Sequence, residues 1–212
     1  LHTNMSEMDG MSCASDLVMK AHACGHPAIA ITDHGVVHAF PEAAEARRKI
    51  LKKGGQMKII YGVEAYMIAD EHHPDVIADR KNIRRYHFII LVKDSVGLKN
   101  LYKLISKSHV DQFHVRPLIT KSDLINHREG LIYGSACEQG ELFQAIIDRK
   151  TDDELLQIAQ FYDYLEIQPL GNNKFMIDSP RVENVHSVQD IININKRIVA
   201  LADEHNKPVV GT

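Results

Sequence analysis

Apolar segments that end in potential metal ligands recur along this chain, and they constrain its fold most strongly. Residues 28–32 are apolar and β-forming, and they lead directly into the Asp-His-Gly sequence of residues 33–35. Glu64 follows a second apolar run, Cys137 follows a third, and His2 stands at the start of the chain. Because parallel strands present functional groups at their carboxyl ends, the pattern predicts imidazole, carboxylate and thiolate ligands gathered at one end of a sheet.

Segments with strand and helix patterns alternate along the chain. We predict helices at residues 12–25 (capped by Ser15), 41–54, 95–110, 120–127, 138–149, 152–161 and 187–205. We predict strands at residues 28–32, 58–66, 86–93, 130–134, 164–168 and 207–211, after a broken first strand that ends near His2. Repeated β-α units predict a parallel sheet that is either open or closed as a barrel. Since candidate ligands follow nearly every strand, an α/β fold with a closed seven-stranded barrel is favoured.

Composition and charge narrow the class of protein. The chain has 212 residues and a net charge of −3 with His neutral, which argues against a domain that holds nucleic acid by bulk electrostatics. A domain inside a larger nucleic-acid enzyme stays possible. The three cysteines form no CxxC pair, and no apolar run is long enough to span a membrane. We therefore expect a cytoplasmic location and no membrane partner.

Each candidate ligand also has an ordinary structural explanation. His34 could simply hydrogen-bond in a capped loop, and Glu64 could pair with an Arg or Lys. Cys137 could be a small buried apolar residue, and Asp9 a turn residue. Together, these residues favour a metal site more strongly than any one of them does alone, because several of them directly follow a predicted strand. His87 begins a predicted strand, where a simple parallel barrel would direct it to the opposite end. Most of the remaining histidines are expected to be solvated.

These motifs resemble the PHP (polymerase and histidinol phosphatase) superfamily, and more closely the PHP domain of bacterial replicative DNA polymerase III α subunits of the PolC type. The similar segments are residues 1–10, 31–37, 61–65, 96–106, 116–117, 134–142 and 164–173. The first three are similar to family metal-binding motifs, the next three to polymerase-type segments, and the last to PolC. The resemblance covers almost the whole chain.

The resemblance implies a distorted seven-stranded (β/α)7 TIM-like barrel with a metal cluster at one end. The positions that match the family's metal ligands are His2, Asp9, His34, Glu64, His87 and Cys137. Asp33 is expected to orient His34. The implied cofactors are two or three divalent metal ions, and mixed imidazole, carboxylate and thiolate donors suit Zn, Mn or Fe about equally. No catalytic residue is assigned.

Three functions are open on this basis. The favoured one is a metal-binding PHP domain that supports DNA-directed DNA synthesis in a parent polymerase and is itself largely structural. Its partners would be the other domains of the parent, with DNA and replisome components reached through the parent. The second is an active metal-dependent phosphoesterase or pyrophosphatase. The third, a free-standing histidinol-phosphatase-like enzyme, is disfavoured by the polymerase-type segments.

We expect residues 1–212 to be a single PHP domain that is truncated at both ends, because the chain begins and ends within predicted core strands. The family's first histidine would precede Leu1 and its last motif would follow Thr212, so incomplete metal loading is expected. PolC-type proteins usually carry an exonuclease domain between the Glu64 motif and the His87 strand. Only residues from about 67 to 85 stand there, so no exonuclease activity is expected.

Overall fold

The computed structural model describes residues 1–7, 9–72, 83–180 and 182–212. The chain divides into two compact units. Unit 1 comprises Leu1–Arg85 with Ile89–Ile132, and unit 2 comprises Tyr86–Phe88 with Tyr133–Thr212. Helices and strands are mixed in the described residues, which confirms the predicted α/β class. No helix in the described part of the chain is both long and apolar enough to cross a membrane.

Unit 1 alternates strands with helices, as the sequence pattern predicts. Its elements are α1 (Ala14–Ala23), β1 (Ala28–Ile31), α2 (Phe40–Lys52), β2 (Lys58–Ile68), most of β3 (Tyr86–Val92), α3 (Ser95–Val110), β4 (Phe113–His114), β5 (Arg116–Thr120), α4 (Lys121–Asn126) and the first half of β6 (Leu131–Gly134). The strand order is β4-β5-β2-β3-β6, and β1 also pairs with β2. This order is open at both ends among the described residues, so a closed barrel is not confirmed.

Strand β2 is central to the sheet of unit 1, because β1 and β5 pair with different parts of it. The strand β1 runs parallel to residues 58–61, and β5 runs parallel to residues 66–68. Glu64 therefore lies between the two paired stretches, where it forms an isolated parallel bridge with His34. The broken first strand is not formed, although the Thr32 amide donates to the Leu1 carbonyl at 2.9 Å.

Local hydrogen bonds set the ends of the helices. The α3 helix spans the predicted residues, and the Asp94 side chain caps it by accepting from the amides of Val96 and Gly97. The predicted Ser15 cap of α1 is wrong, because the backbone amide and hydroxyl of Ser15 donate to Glu42 of α2, at 3.1 and 2.6 Å. The Ser15 hydroxyl and amide lower the pKa of Glu42. Ser15 thus joins α1 to α2.

A buried carboxylate joins α3 to α4. Asp123 accepts hydrogen bonds from Lys107 at 2.6 Å, Gln112 at 2.7 Å and the hydroxyl of Thr120 at 2.8 Å. Burial alone raises the pKa of Asp123, but these donors outweigh it and hold the pKa below its usual value. Thr120 also caps α4, because its hydroxyl accepts a hydrogen bond from the Asp123 amide.

Unit 2 contains the first three residues of β3, the last two residues of β6 and the rest of the chain to Thr212. Its further elements are α5 (Glu141–Ile147), α6 (Asp152–Phe161), β7 (Leu165–Ile167), α7 (Val188–Glu204) and β8 (Val209–Gly211). Strands β7 and β8 pair in parallel. Its core includes an aromatic group in which Phe88 lies 4.9 Å from the ring of Tyr133 and 5.4 Å from that of Tyr162. Burial raises the pKa of Tyr162 well above its usual value.

Candidate metal centre

The turn after β1 places His34 beside Glu64. The Glu64 amide donates to the Asp33 carbonyl at 3.1 Å, and the Gly35 amide donates to the Glu64 carbonyl at 2.9 Å. Gly35 has φ +64°, and a Cβ there would lie 2.5 Å from Pro117 Cγ. A larger residue would therefore strain the turn, and the glycine fixes where His34 leaves the strand.

The segment that carries His2 is held by buried hydrogen bonds. Both carboxylate oxygens of Asp33 accept from Thr3, one from its amide at 2.5 Å and one from its hydroxyl at 2.9 Å. The Ser6 hydroxyl accepts from the His34 amide at 3.0 Å and lies 3.4 Å from His2 Nδ1. The Asp33 carboxylate thus binds Thr3, the residue after His2, and its expected role in orienting His34 stays a prediction.

Four predicted ligands of unit 1 come together. His2 Nε2 lies 3.1 Å from Glu64 Oε2, and His2 Nδ1 lies 3.4 Å from Asp9 Oδ2. His34 Nε2 lies 3.5 Å from the same Asp9 oxygen. Ligand atoms of His2, His34 and Glu64 all lie within 4.8 Å of one another. The two imidazole rings stack with centroids 4.4 Å apart.

This donor set fits a divalent metal ion. Two donors bound to one ion at about 2.1 Å, separated by a tetrahedral or octahedral angle, lie about 3.0–3.4 Å apart, and the 3.1 Å between His2 Nε2 and Glu64 Oε2 falls in this range. Two imidazoles and two carboxylates suit Zn, Mn or Fe. Glu64 is only 8% exposed, and a buried carboxylate requires a cation or hydrogen-bond donors. The chemistry and spacing of the residues therefore match the predicted cofactor.

Two residues absent from the predicted ligand set lie next to it. The Tyr66 ring stacks on His34 at 5.6 Å, and the Arg116 guanidinium carbon lies 5.6 Å from the centre of the Tyr66 ring. Burial raises the pKa of Tyr66, Arg116 opposes the rise, and Glu64, Glu7 and Asp9 add to it. The charges of the site therefore act on this phenol. One sequence feature could have indicated Tyr66. It follows Glu64 by two residues, and side chains two residues apart on a strand lie on the same face.

One histidine expected to be solvated supports the centre instead. His109 of α3 places Nε2 at 2.8 Å from the Gly35 carbonyl oxygen. Its ring also stacks on Phe113, with centroids 6.1 Å apart. The helix therefore buttresses the turn that carries His34. Nothing in the sequence spacing indicated this contact, because residues 35 and 109 are distant along the chain.

The other two predicted ligands meet within unit 2. The His87 amide donates to the Gln139 carbonyl at 3.0 Å, and His87 forms a parallel bridge with Gly140. Cys137 Sγ lies 3.4 Å from His87 Nδ1. Ala136 has φ +58°, a turn conformation that redirects the chain after β6. The start of β3 thus runs beside the segment that follows β6. This arrangement explains how His87, at the start of β3, comes close to Cys137, which follows the end of β6.

Comparisons with known proteins identify relatives of the chain. The family model for the PHP domain matches residues 1–170. PolC-type DNA polymerase III of Clostridium perfringens is 43% identical over 188 residues, which are 88% of this chain and 12% of that protein. The PolC-type polymerase of Caldanaerobacter subterraneus is 44% identical over 179 residues, 84% of this chain and 12% of that protein. That of Oceanobacillus iheyensis is 35% identical over 189 residues, 89% of this chain and 13% of that protein.

The chain thus spans about an eighth of the length of these curated relatives. Among solved structures, a protein designated a metal-dependent phosphoesterase from Bifidobacterium adolescentis superposes with a TM-score of 0.59. The match covers 99% of this chain and 84% of that one at 14% identity. At that identity the likeness concerns the fold.

Proposed function

Because the chain belongs to the PHP domain family and is homologous to PolC-type DNA polymerase III, we propose that it is the metal-binding PHP domain of such a polymerase. The observation that carries the proposal is the convergence of His2, His34 and Glu64, whose ligand atoms lie within 4.8 Å of one another, with Asp9 Oδ2 3.5 Å from His34 Nε2. His87 and Cys137 form a second candidate ligand set within unit 2.

The proposal extends to the organisation of the chain. Residues 1–212 are taken as one PHP domain whose full form is a distorted seven-stranded barrel. DNA-directed DNA synthesis belongs to the parent polymerase, and this chain serves it largely as a structural module. Its partners are the parent's other domains, and its location is that of a cytoplasmic replication enzyme. The segment from about 67 to 85, of which residues 73–82 lie outside the described part, is too short to carry an exonuclease domain.

The residues around the candidate centre have distinct tasks. A bound divalent ion supplies positive charge that can neutralise a phosphate and acidify water. The Glu64 and Asp9 carboxylates balance that charge, while the imidazoles bind in their neutral forms. Asp33, through Thr3, keeps the His2 segment in place.

Metal loading tests the proposed centre. The purified chain is stripped with a chelator, incubated with Zn²⁺ or Mn²⁺, dialysed and measured by elemental analysis. We expect about one ion per chain, fewer than the two or three that the family resemblance implies, and a higher unfolding temperature, because binding to the native state stabilises it. Stripped protein that keeps its circular dichroism but retains no metal from micromolar solution would contradict the proposal.

A second candidate function is metal-dependent hydrolysis of a phosphoester or pyrophosphate. The observation that favours it is the arginine next to the ligand set, since guanidinium groups bind phosphate oxygens. Phosphate release from pyrophosphate or nitrophenyl phosphate is measured with added Mn²⁺ or Zn²⁺. We expect turnover that requires metal and disappears in His34→Ala. A chain that binds metal but shows no turnover at any metal concentration would reject this candidate and leave the first intact.

A further inference from the structure

The exposed face of α3 is basic, although the whole chain is slightly acidic. The helix contains three lysines and no acidic residue, whereas the net charge of the chain is −3 with His neutral. Lys107 is paired with Asp123 at 2.6 Å. Lys99 and Lys103 are exposed, and neither forms an ion pair with any residue that the structure describes. This face therefore carries two unpaired positive charges.

An exposed groove lies beside these lysines, between α3 and the end of α4. We call it the α3 groove, and its volume is about 550 Å³. Its lining includes Tyr102 and Val110 of α3 and His127, which follows α4. Tyr102 is 43% exposed and Val110 is 80% exposed, and positions 102, 106 and 110 form one stripe because they repeat every four residues. Apolar side chains exposed beside charged ones mark a surface suited to binding a partner.

The shape and charge of the α3 groove indicate the kind of partner. A groove along a helix accepts a second helix, whose side chains at every third or fourth position form an apolar stripe. Carboxylates beside that stripe would pair with Lys99 and Lys103, and this charge complementarity favours an acidic helix over a basic one. Asp111 lies at the other end of the groove and repels carboxylates. The acidic part of the partner therefore lies toward Lys99.

The size of the α3 groove indicates where the partner comes from. Seven residues line it, whereas a stable complex between separate proteins uses about 20–30 residues from each. A contact this small suits a partner that is tethered to the domain, because a short linker holds it at millimolar effective concentration. The chain spans about an eighth of the length of its curated PolC-type relatives, and the proposed parent polymerase supplies such tethered neighbours.

We propose that the α3 groove docks an acidic amphipathic helix from another domain of the parent polymerase. The apolar stripe of that helix packs on Tyr102 and Val110, and its carboxylates pair with Lys99 and Lys103. The source of the helix rests on the proposed function, whereas the binding chemistry rests on the groove itself. The proposal assigns a docking role to a surface outside the candidate metal centre.

A synthetic probe tests the binding chemistry. The probe is a fluorescent helical peptide of about 16 residues, with leucines on one stripe and glutamates beside it, and anisotropy measures its binding. A second peptide carries lysines in place of the glutamates, and a DNA duplex of similar length tests nucleic acid as the occupant. The variants are Val110→Ser and Lys103→Glu. The matched controls, Val188→Ser on α7 and Lys20→Glu on α1, change exposed side chains elsewhere.

The acidic peptide is expected to bind the wild-type chain. Val110→Ser should raise its dissociation constant about 10-fold, because apolar groups leave the interface. Lys103→Glu should raise it about 3- to 10-fold, because an exposed ion pair becomes a contact between like charges. The controls bind as the wild type does. A wild-type chain that binds no acidic peptide, an unchanged constant in either variant, or tighter binding of the lysine peptide or the duplex would overturn the proposal.

Acetylation of lysines tests the source of the helix. The isolated chain and the parent polymerase are treated with a limiting acetylating reagent and mapped by mass spectrometry. Relative to Lys20, Lys99 and Lys103 should react about 5-fold or more slowly in the parent, because docked side chains react only when the interface opens. Equal reactivity of Lys103 in both would overturn the proposal, and so would self-association of the isolated chain that Val110→Ser abolishes. Failure of metal loading would instead refute the proposed function, since neither experiment on the groove depends on bound metal.

Discussion

Glu64→Gln and His34→Ala are each expected to weaken Zn²⁺ or Mn²⁺ binding by about 100-fold or more. His34→Ala removes a donor, and Glu64→Gln removes a charged donor oxygen, from the set whose atoms converge within 4.8 Å. Loss of a residue that merely orients a ligand costs about 10- to 100-fold, and loss of the ligand itself costs at least as much. Glutamine keeps the shape of Glu64 but lacks its charge, so this variant isolates the electrostatic part of binding. Competition with a chromogenic chelator measures the affinities.

Two variants outside the centre control for general effects on the fold. His26→Ala removes an exposed imidazole between α1 and β1, and Glu45→Gln removes a carboxylate from an exposed ion pair on α2. Both should bind metal as the wild type does. If the controls lose affinity as strongly as the two ligand variants, or if Glu64→Gln binds metal normally, then the proposed coordination is wrong.

The candidate ligands of unit 1 could be proposed from the sequence because all of them lie in short motifs. His34 and Glu64 follow apolar runs that pair in the parallel register β1–β2, and the same register continued by three residues places them side by side, although Glu64 lies within β2. The boundaries of α3 and α6 were also predictable, because Asp94 and Thr151 supply N-cap oxygens where apolar periodicity begins.

The sequence could not predict contacts that depend on distant segments. The bond from His109 to Gly35 joins residues separated by 74 positions, and no local pattern encodes it. Asp33 was placed correctly at a strand end, but its partner is Thr3, which only the fold brings near. Secondary-structure propensities and motifs depend on residues that are close in sequence, whereas these contacts depend on how distant segments pack.

The short hairpin of β4 and β5 was missed for a similar reason. Pro117 lies within β5 and disfavours a strand prediction, and Val115 between the two strands has φ +63°, which is unusual for a β-branched residue. The strand forms because residues 118–120 pair with the far end of β2. Tertiary pairing therefore overrides the local signal at this segment.

Leu118→Ala is accordingly expected to lower the free energy of unfolding by about 2–5 kcal/mol. Leu118 is fully buried on β5 and packs with Ile68 and Ile83, and Tyr66 contacts the same cluster. Truncation removes apolar contacts and leaves a cavity beside β2, which carries Glu64. Urea unfolding monitored by circular dichroism measures the change. The control is Val110→Ala at the end of α3, where the side chain is 80% exposed and the change should stay within about 0.5 kcal/mol.

Metal addition distinguishes this fold variant from the ligand variants. A ligand that binds only the native state stabilises it by an amount set by its concentration and dissociation constant. Since Leu118→Ala keeps every proposed donor, saturating Zn²⁺ should raise its unfolding free energy by the same increment as in the wild type. Glu64→Gln should lose most of that increment while remaining folded without metal. A loss below about 1 kcal/mol in Leu118→Ala would show that β5 contributes little to the core, and an increment lost in both variants would show that the centre depends on packing beyond its ligands.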